Sequence, residues 1–432
     1  LAVILTDVQR APDSDWRSWG GGLLVTGVVL TGLLAGSFFT LLLFMGLLDL
    51  VILGLQMVIQ ADQERINLAI RGFLIRGSGI LLLVLIAVLR NSSFFAASVW
   101  TDFLFVIIFL FGFYLRLGIL PLYWAFIADP GANRSLGSVL RLAPAGLALI
   151  LLLRSGPFGL DAGYLALILV ILALPSILAA WTWVRSSDEV AGRSFFISAA
   201  AAIGAAAVLL NHPESGLSWS LTLLLSGGIL FLFRARQYWF ILLPLIGFWG
   251  LTGLPLSPSW PAMKIYSPPD NPALVLFILL QAGLIAGYLY HTLRLNEGEE
   301  NLERWELVLY PAGLALLPSI NLLVSWLPWQ GSSAIQSIPW WPGFVIAGLG
   351  IGMWWLVQRK AVRLPDLSRP FRSVFSLLNQ AVFEILGWVG RGIGSVSFLL
   401  EGEGGVLWAL LFLALMITVL SQIGLAAIGN GN

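Results

Sequence analysis

The sequence predicts an all-α polytopic membrane protein with about 13 transmembrane helices, and three observations support this fold class. Hydrophobic residues make up 59% of the 432 positions and charged residues only 10%, whereas soluble domains are about a quarter charged. Apolar stretches near the roughly 20 residues needed to cross a bilayer recur along the whole chain. These stretches lack the alternation of barrel strands, so helices are expected.

The apolar stretches divide the chain into consecutive parts. In chain order these are an N-terminal cytoplasmic segment (1–21), a first five-helix repeat (22–154), a second five-helix repeat (163–293), two additional spans (305–358), a basic segment with an amphipathic interfacial helix (359–404), and the last span with the C-terminus (405–432). The expected spans are 22–35, 38–60, 66–89, 96–115, 136–154, 163–184, 195–210, 217–233, 238–253, 273–293, 306–327, 341–358 and 405–427.

The loop charges predict the orientation in the membrane. Of the 23 lysines and arginines, 15 fall in loops on the N-terminal side and three on the opposite side, namely Arg90, Arg154 and Lys264. The remaining five lie within or near spans. Because cytoplasmic loops carry the excess of basic residues, the N-terminus is expected in the cytoplasm and the C-terminus outside.

The two five-helix units are expected to form an inverted repeat. An odd number of crossings reverses the second unit relative to the first, as in many transporters. In each unit the fourth span runs into a glycine/proline break: GILPL with Gly118 and Pro121, and GLPL with Gly253 and Pro255. Broken helices expose backbone dipoles at ion sites. The alternative is that the two prolines only end helices at loops.

Asp49 lies in the middle of the second span and is the most unusual charge in the sequence. A charge at this depth costs roughly 2.5–3.5 kcal/mol on insertion scales, so a buried and paired carboxylate is expected. Arg71 and Arg76, in or beside the third span, are the candidate counter-ions. Alternatively, Arg71 extends to the cytoplasmic surface.

Three further cations accompany the breaks and the fifth span: Arg116, Lys264 and Arg141. With Asp49 they are the predicted ion-translocation residues, arranged as a polar axis across the bilayer. Arginine keeps its proton because its pKa exceeds about 12. Of the four, Lys264 and Asp49 are therefore the groups expected to exchange protons.

The sequence carries no motif that is typical of the other function classes considered, namely metal-dependent, nucleotide-binding or nucleophilic enzymes. The chain has no cysteine and only two histidines, His212 and His291, without metal-ligand spacing. No phosphate-binding loop, dinucleotide fingerprint or nucleophile–base pair occurs, and the net charge of +1 does not indicate a nucleic-acid partner. No catalytic residue, metal or cofactor is therefore expected.

Three stretches carry a resemblance to a known family: RLGILPLYWAFIADPGANRSLGSVLRLAPAGLALILLLR (116–154), GLTGLPLSPSWPAMKIY (250–266) and WVRSSDEVAGRSFFISAAAAIG (183–204). They resemble the antiporter-like membrane subunits of respiratory complex I (NADH–quinone oxidoreductase) and of Mrp-type Na⁺/H⁺ antiporters. The resemblance implies two inverted five-helix repeats with broken helices. It also implies a subunit in a bacterial inner membrane whose partners are lipid, other membrane subunits, and protons or Na⁺.

This chain departs from the family pattern at its charged positions. Arg116 stands where the family has a lysine, and Arg141 stands where it has a lysine or histidine. The family glutamate corresponds to the neighbourhood of Gly46 and Leu47, so Asp49 is displaced and expected on another helix face. Three functions remain open: a proton-translocating or formerly translocating subunit without its own redox site, a non-pumping structural subunit, and a cation/proton antiporter component.

Overall fold

The computed structural model describes residues 1–6, 16–59, 63–91, 99–117, 134–156, 158–233, 238–267, 271–294, 306–326 and 338–359, together with Gln380 and Glu384. The chain divides into two compact parts, Leu1–Arg369 and Pro370–Asn432. In Pro370–Asn432, Gln380 and Glu384 are helical, and the side-chain amide of Gln380 donates a hydrogen bond to the carboxylate of Glu384 (3.3 Å). The rest of the predicted amphipathic helix and the last span lie outside the described residues.

Throughout the described residues, the regular structure is helical. The helices are α1 (Ala2–Thr6), α2 (Trp16–Leu33), α3 (Phe38–Ile59), α4 (Gln63–Asn91), α5 (Val99–Leu117), α6 (Arg134–Ser155), α7 (Ala162–Arg185), α8 (Arg193–Leu209), α9 (Pro213–Leu232), α10 (Leu242–Leu251), α11 (Leu274–Leu293), α12 (Glu306–Trp326) and α13 (Trp341–Gln358). Two 3-10 helices, Tyr238–Ile241 and Trp260–Tyr266, lie before and after α10.

Among the described helices, eight are long and apolar enough to cross a membrane: α3, α4, α6, α7, α9, α11, α12 and α13. Shorter apolar helices are α8, α10 and the Trp19–Leu33 part of α2. The all-α multi-pass membrane class is therefore confirmed.

Element boundaries differ from expectation in two places. Helix α2 begins at Trp16, inside the segment expected to be cytoplasmic, and α1 packs against α12. The expected span 238–253 is divided between a 3-10 turn and the ten-residue α10.

The centre of the bundle is α8, which is buried along almost its whole length. It packs against α6, α7, α9 and α11. Its sequence is rich in alanine, and small side chains let helix backbones approach closely inside a membrane. The outer helices instead expose large apolar residues such as Leu43, Leu81 and Leu323, which suits contact with lipid.

One end of the bundle is held by charged groups. Arg134, the first residue of α6, donates to the carboxylate of Glu189 and to the carbonyl of Phe233. Glu189 is buried in the α7–α8 turn. Arg193 is also buried, and it donates to the hydroxyl of Ser138 on α6 (3.1 Å). These bonds join α6 to the α7–α8 turn, to the start of α8 and to the end of α9.

Candidate functional site

A buried cluster of three charged side chains joins α3, α4 and α5. The carboxylate of Asp49 accepts a hydrogen bond from Nε of Arg76 (Nε–Oδ1 2.9 Å) through one oxygen. Its other oxygen accepts a bond from Nη1 of Arg116. Asp49 is 0% exposed, Arg116 1% and Arg76 6%, so the cluster is closed to solvent. Its formal charge is +1, and we refer to these three residues as the Asp49 cluster.

The Asp49 cluster lies midway along two helices that are long enough to cross a membrane. Asp49 is at the midpoint of α3 and Arg76 is near the midpoint of α4. Arg116 is the second-last residue of α5. The first predicted break, Gly118 and Pro121, lies outside the described residues.

The structure places Asp49 on the buried face of α3, with Met45, Leu48 and Ile52, where it contacts Arg116 directly. Asp49 and Arg116 were both expected on the polar axis, and they lie together. The expectation that Asp49 occupies a different helix face from the family glutamate stays a prediction. The second partner of Asp49 is Arg76, which is buried, whereas Arg71 is exposed.

Arg141 adds a further positive charge beside this cluster. It lies on α6, is partly buried, and is close enough to Arg76 to act on it electrostatically. Helix α6 packs against α3 and α5, and also against α8 and α9. Arg141 therefore lies on the helix that connects the Asp49 cluster to α8 and α9.

The second break is fully described and follows α10. Helix α10 ends at Leu251, and the chain then turns before the 3-10 helix Trp260–Tyr266. Gly253 has φ of +70° and Leu256 has φ of +69°. A leucine rarely adopts this region, so the turn is strained and its surroundings must hold it in place.

Neutral side chains satisfy the backbone at this break. The hydroxyl of Ser259 donates to the carbonyl of Gly250 (2.6 Å) and accepts from the N–H of Gly253 (2.9 Å). The amide of Gln281 donates to the carbonyl of Leu251 (2.8 Å). Ser259 and Gln281 are both 0% exposed. Buried backbone groups need such partners, so these two residues make a helix end inside the bundle tolerable.

Lys264 lies on the 3-10 helix beyond the break and is partly exposed. Its electrostatic neighbour is His212, which precedes α9. Burial, followed by repulsion from Lys264, lowers the pKa of His212 below its usual value, and Glu214 opposes this shift. No described contact joins Lys264 to Asp49, Arg116 or Arg141. Among the described residues of the expected polar axis, Asp49 and Arg116 are thus in contact, with Arg141 near them. Lys264 lies at a separate position.

Helix α9 lies between α6 and the 3-10 helix that carries Lys264. Its buried polar residues are hydroxylic: Ser215, Ser218, Ser220, Thr222 and Ser226. The hydroxyls of Ser220 and Thr222 donate to carbonyls one turn earlier (2.7 and 2.9 Å). These side chains can take part in hydrogen-bond chains, but they do not hold a charge at neutral pH.

The second histidine, His291, is buried against Trp183. Its Nε2 lies 3.0 Å from the carbonyl oxygen of Trp183 and 3.1 Å from the hydroxyl of Ser186. In the part of the chain that the structure describes, no group of three histidine, cysteine or acidic residues is arranged to hold a metal.

The bundle defines a multi-pass helical membrane protein with acidic and basic side chains buried midway along its helices. No protein-family model matches the chain, and no curated protein matches it. A solved structure similar to it is a chain of respiratory complex I from Thermus thermophilus with bound aureothin. The TM-score is 0.52 at 16% identity, and the match covers 74% of this chain and 81% of that chain. At this identity the likeness establishes a shared fold. The expected resemblance is supported to that extent, and its Mrp part stays a prediction.

Sequence reasoning missed the residues that stabilise the second break. Gln281, Ser259 and Asn321 are fully buried, and the amide of Asn321 reaches the carbonyl of Ile246 (3.3 Å) on α10. A polar residue inside an otherwise apolar span was the available signal, because lipid-exposed positions disfavour such side chains.

Proposed function

We propose that the chain is an antiporter-like membrane subunit of a complex I-like or hydrogenase-like energy-converting assembly. The observation that carries this proposal is the Asp49 cluster, an ion pair with an additional arginine at mid-depth in a complex I-like fold. Intramembrane charges of this kind are costly and mark ion pathways by default. Energy reaches the subunit through neighbouring membrane subunits, because the chain contributes no redox group of its own.

The inverted repeat and the count of 13 spans belong to the same proposal. Helix α10 ends before a break at which backbone groups hydrogen-bond to buried side chains. This broken helix supports the arrangement, and the first break is predicted from GILPL at 118–122. In it, the segment with Lys264 faces outside and the α7–α8 turn faces the cytoplasm.

Within this proposal Lys264 is the exchangeable proton site. Arg116 and Arg141 remain charged at any physiological pH and set the field in the first unit. Lys264 is partly exposed, so it exchanges protons with its own side of the membrane. The hydroxyls of α9 lie between the two units and offer hydrogen-bond positions for a proton path.

The test is pumping by the intact complex that co-purifies with this chain. In proteoliposomes driven by the electron donor of that complex, Lys264→Ala is expected to reduce acidification while electron transfer persists. Lys264→Arg serves as the matched control, because it keeps the charge but not the exchange, and it should behave like Lys264→Ala. Pumping at the wild-type rate in both variants would reject Lys264 as the site.

A specific observation favours the second candidate, a non-pumping structural subunit. Both oxygens of Asp49 are held by arginines, and none of the buried polar side chains of α9 is titratable. If neither Lys264→Ala nor Asp49→Asn changes the protons moved per electron, the structural candidate is the correct one. Cation-dependent proton transport by the chain purified alone would instead support the antiporter candidate.

Orientation is testable because the chain has no cysteine. Ser187 and Ser267 are both exposed, on the α7–α8 turn and after Lys264 respectively. In inside-out membrane vesicles, an impermeant maleimide should label Ser187→Cys and spare Ser267→Cys. The reverse pattern would overturn the orientation.

A further inference from the structure

One end of the first unit contains a cleft that the proposed ion path does not use. Its volume is about 250 Å³, and it opens where α4 and α6 end and α3 and α5 begin. Its inner wall is aromatic and aliphatic, formed chiefly by Phe38, Phe105, Phe109 and Phe158. Arg90, Arg154 and Asp102 also line it, at the ends of their helices.

The cleft is polar at its mouth and apolar inside. Leu83 and Arg90 both line it and lie seven residues apart on α4, which is about 10 Å of helix rise. Asp102 and Phe109 are separated by the same number of residues on α5. The lining therefore changes from charged to aromatic over about 10 Å, which suits a molecule with one polar end and one hydrocarbon end.

The charge at the mouth selects the sign of that polar end. Two arginines and one carboxylate leave one formal positive charge. The guanidinium of Arg154 is held in place by the carbonyls of Leu33 (2.8 Å) and Ala35, at the end of α2. These acceptors are neutral, so they position the charge without cancelling it. The two described bonds use two of its five N–H groups.

We infer that this cleft is a binding site for an anionic phospholipid. The phosphate lies between Arg90 and Arg154, and one acyl chain enters along the phenylalanines. Basic pockets between transmembrane helices on the cytoplasmic or matrix side bind anionic headgroups, and in the proposed orientation these two arginines offer the same contacts at the outer side. The cleft is slightly smaller than the 300–1,000 Å³ of pockets for drug-sized molecules, which fits part of one chain. A neutral ring compound such as a quinone can accept hydrogen bonds from the two arginines, but it lacks the negative charge that makes a phosphate their stronger partner.

The experiment titrates the purified, delipidated full chain with phosphatidylglycerol, phosphatidylcholine or inorganic phosphate. Retained lipid is counted by native mass spectrometry, and Tm is recorded in parallel. Phosphatidylglycerol is expected to bind at least ten-fold more tightly than phosphatidylcholine and to raise Tm, as a ligand of the folded state does. Phosphate alone should do neither. Equal binding of the two lipids would overturn the inference, as would a phosphate effect matching that of phosphatidylglycerol.

Two pairs of variants locate the site. Arg90→Gln should weaken phosphatidylglycerol about five-fold, the contribution of one interfacial arginine, whereas Arg71→Gln, at the other end of α4, should not. Ala87→Phe fills the cleft and should abolish tight binding, whereas Leu85→Phe on the exposed face of the same helix should not. Equal losses within either pair would overturn the inference. Displacement of bound phosphatidylglycerol by equimolar short-chain quinone would also overturn it.

Discussion

Removing the carboxylate of the Asp49 cluster should be far more damaging than removing one of its arginines. Asp49→Asn raises the formal charge of the cluster from +1 to +2 and leaves two buried guanidinium groups facing one neutral amide. Breaking a buried ion pair by deleting one partner typically costs about 3–5 kcal/mol. Because Asp49 serves two arginines, we expect a loss at the upper end of that range.

Arg116→Met provides the comparison within the same cluster. It lowers the formal charge to zero and leaves the Asp49–Arg76 bond in place. The lost charged hydrogen bond is worth about 1.5–3 kcal/mol. That loss is partly offset, because Nε and Nη2 of Arg116 are buried and have no hydrogen-bond partner in the described protein. The net cost should therefore be under about 2 kcal/mol.

The assay is the free energy of unfolding in detergent micelles, measured for each variant by denaturant titration with circular dichroism. Asp49→Asn should lose at least about 3 kcal/mol more than Arg116→Met. A double variant with both changes should recover part of the Asp49→Asn loss, because it removes one of the two facing cations. Equal losses in the two single variants, or no recovery in the double variant, would refute the assignment of the cluster as an interdependent ionised group.

Three further predictions concern other parts of the bundle. The pKa of His212 is lowered by burial and by Lys264, so Lys264→Gln should raise it, as measured by NMR of the imidazole protons. Since the unfolded chain binds this proton more readily, wild-type stability should fall as pH drops through about 6.5. Gly343→Ala should destabilise the protein by about 2 kcal/mol, because an added Cβ would overlap the backbone oxygen of Gly253 at the second break. Gly348→Ala adds a Cβ in open space and should leave stability unchanged. Thermal unfolding of the two variants measures the difference. Glu189→Gln should cost about 2 kcal/mol in denaturant unfolding, below the figure for fully buried pairs since its arginine partner is 24% exposed.

Sequence reasoning identified the fold class and the buried carboxylate but not the geometry around it. The long apolar runs dictate membrane helices, and a lone aspartate among them demands a partner. The sequence does not determine which way Asp49 faces. Helix α3 has leucine on all sides, so no apolar stripe fixes its rotation, and packing against α2, α4 and α6 decides it.

The second site shows a different limit. The GLPL motif marks a helix end, since proline cannot continue the ladder. The motif does not reveal that Ser259 and Gln281 donate hydrogen bonds to the last carbonyl groups of α10. These residues lie outside α10, so the bonds are tertiary contacts. The proximity of Lys264 to His212 is likewise set by folding. Long-range pairs of this kind leave no periodic signal in a single sequence.

The second break is held by hydrogen bonds between uncharged groups, and this affects how the two five-helix units respond to the membrane potential. A displaced elementary charge gains or loses about 2.3 kcal/mol per 100 mV. The hydrogen bonds at the second break join neutral groups, namely Ser259, Gln281 and the backbone. The membrane potential and pH therefore do not act directly on these bonds. The Asp49 cluster, with a formal charge of +1 midway along membrane-length helices, and Lys264, just beyond the break, are groups on which the field acts. A change in membrane potential therefore reaches the second break through Lys264 and not through the hydrogen bonds that hold its turn.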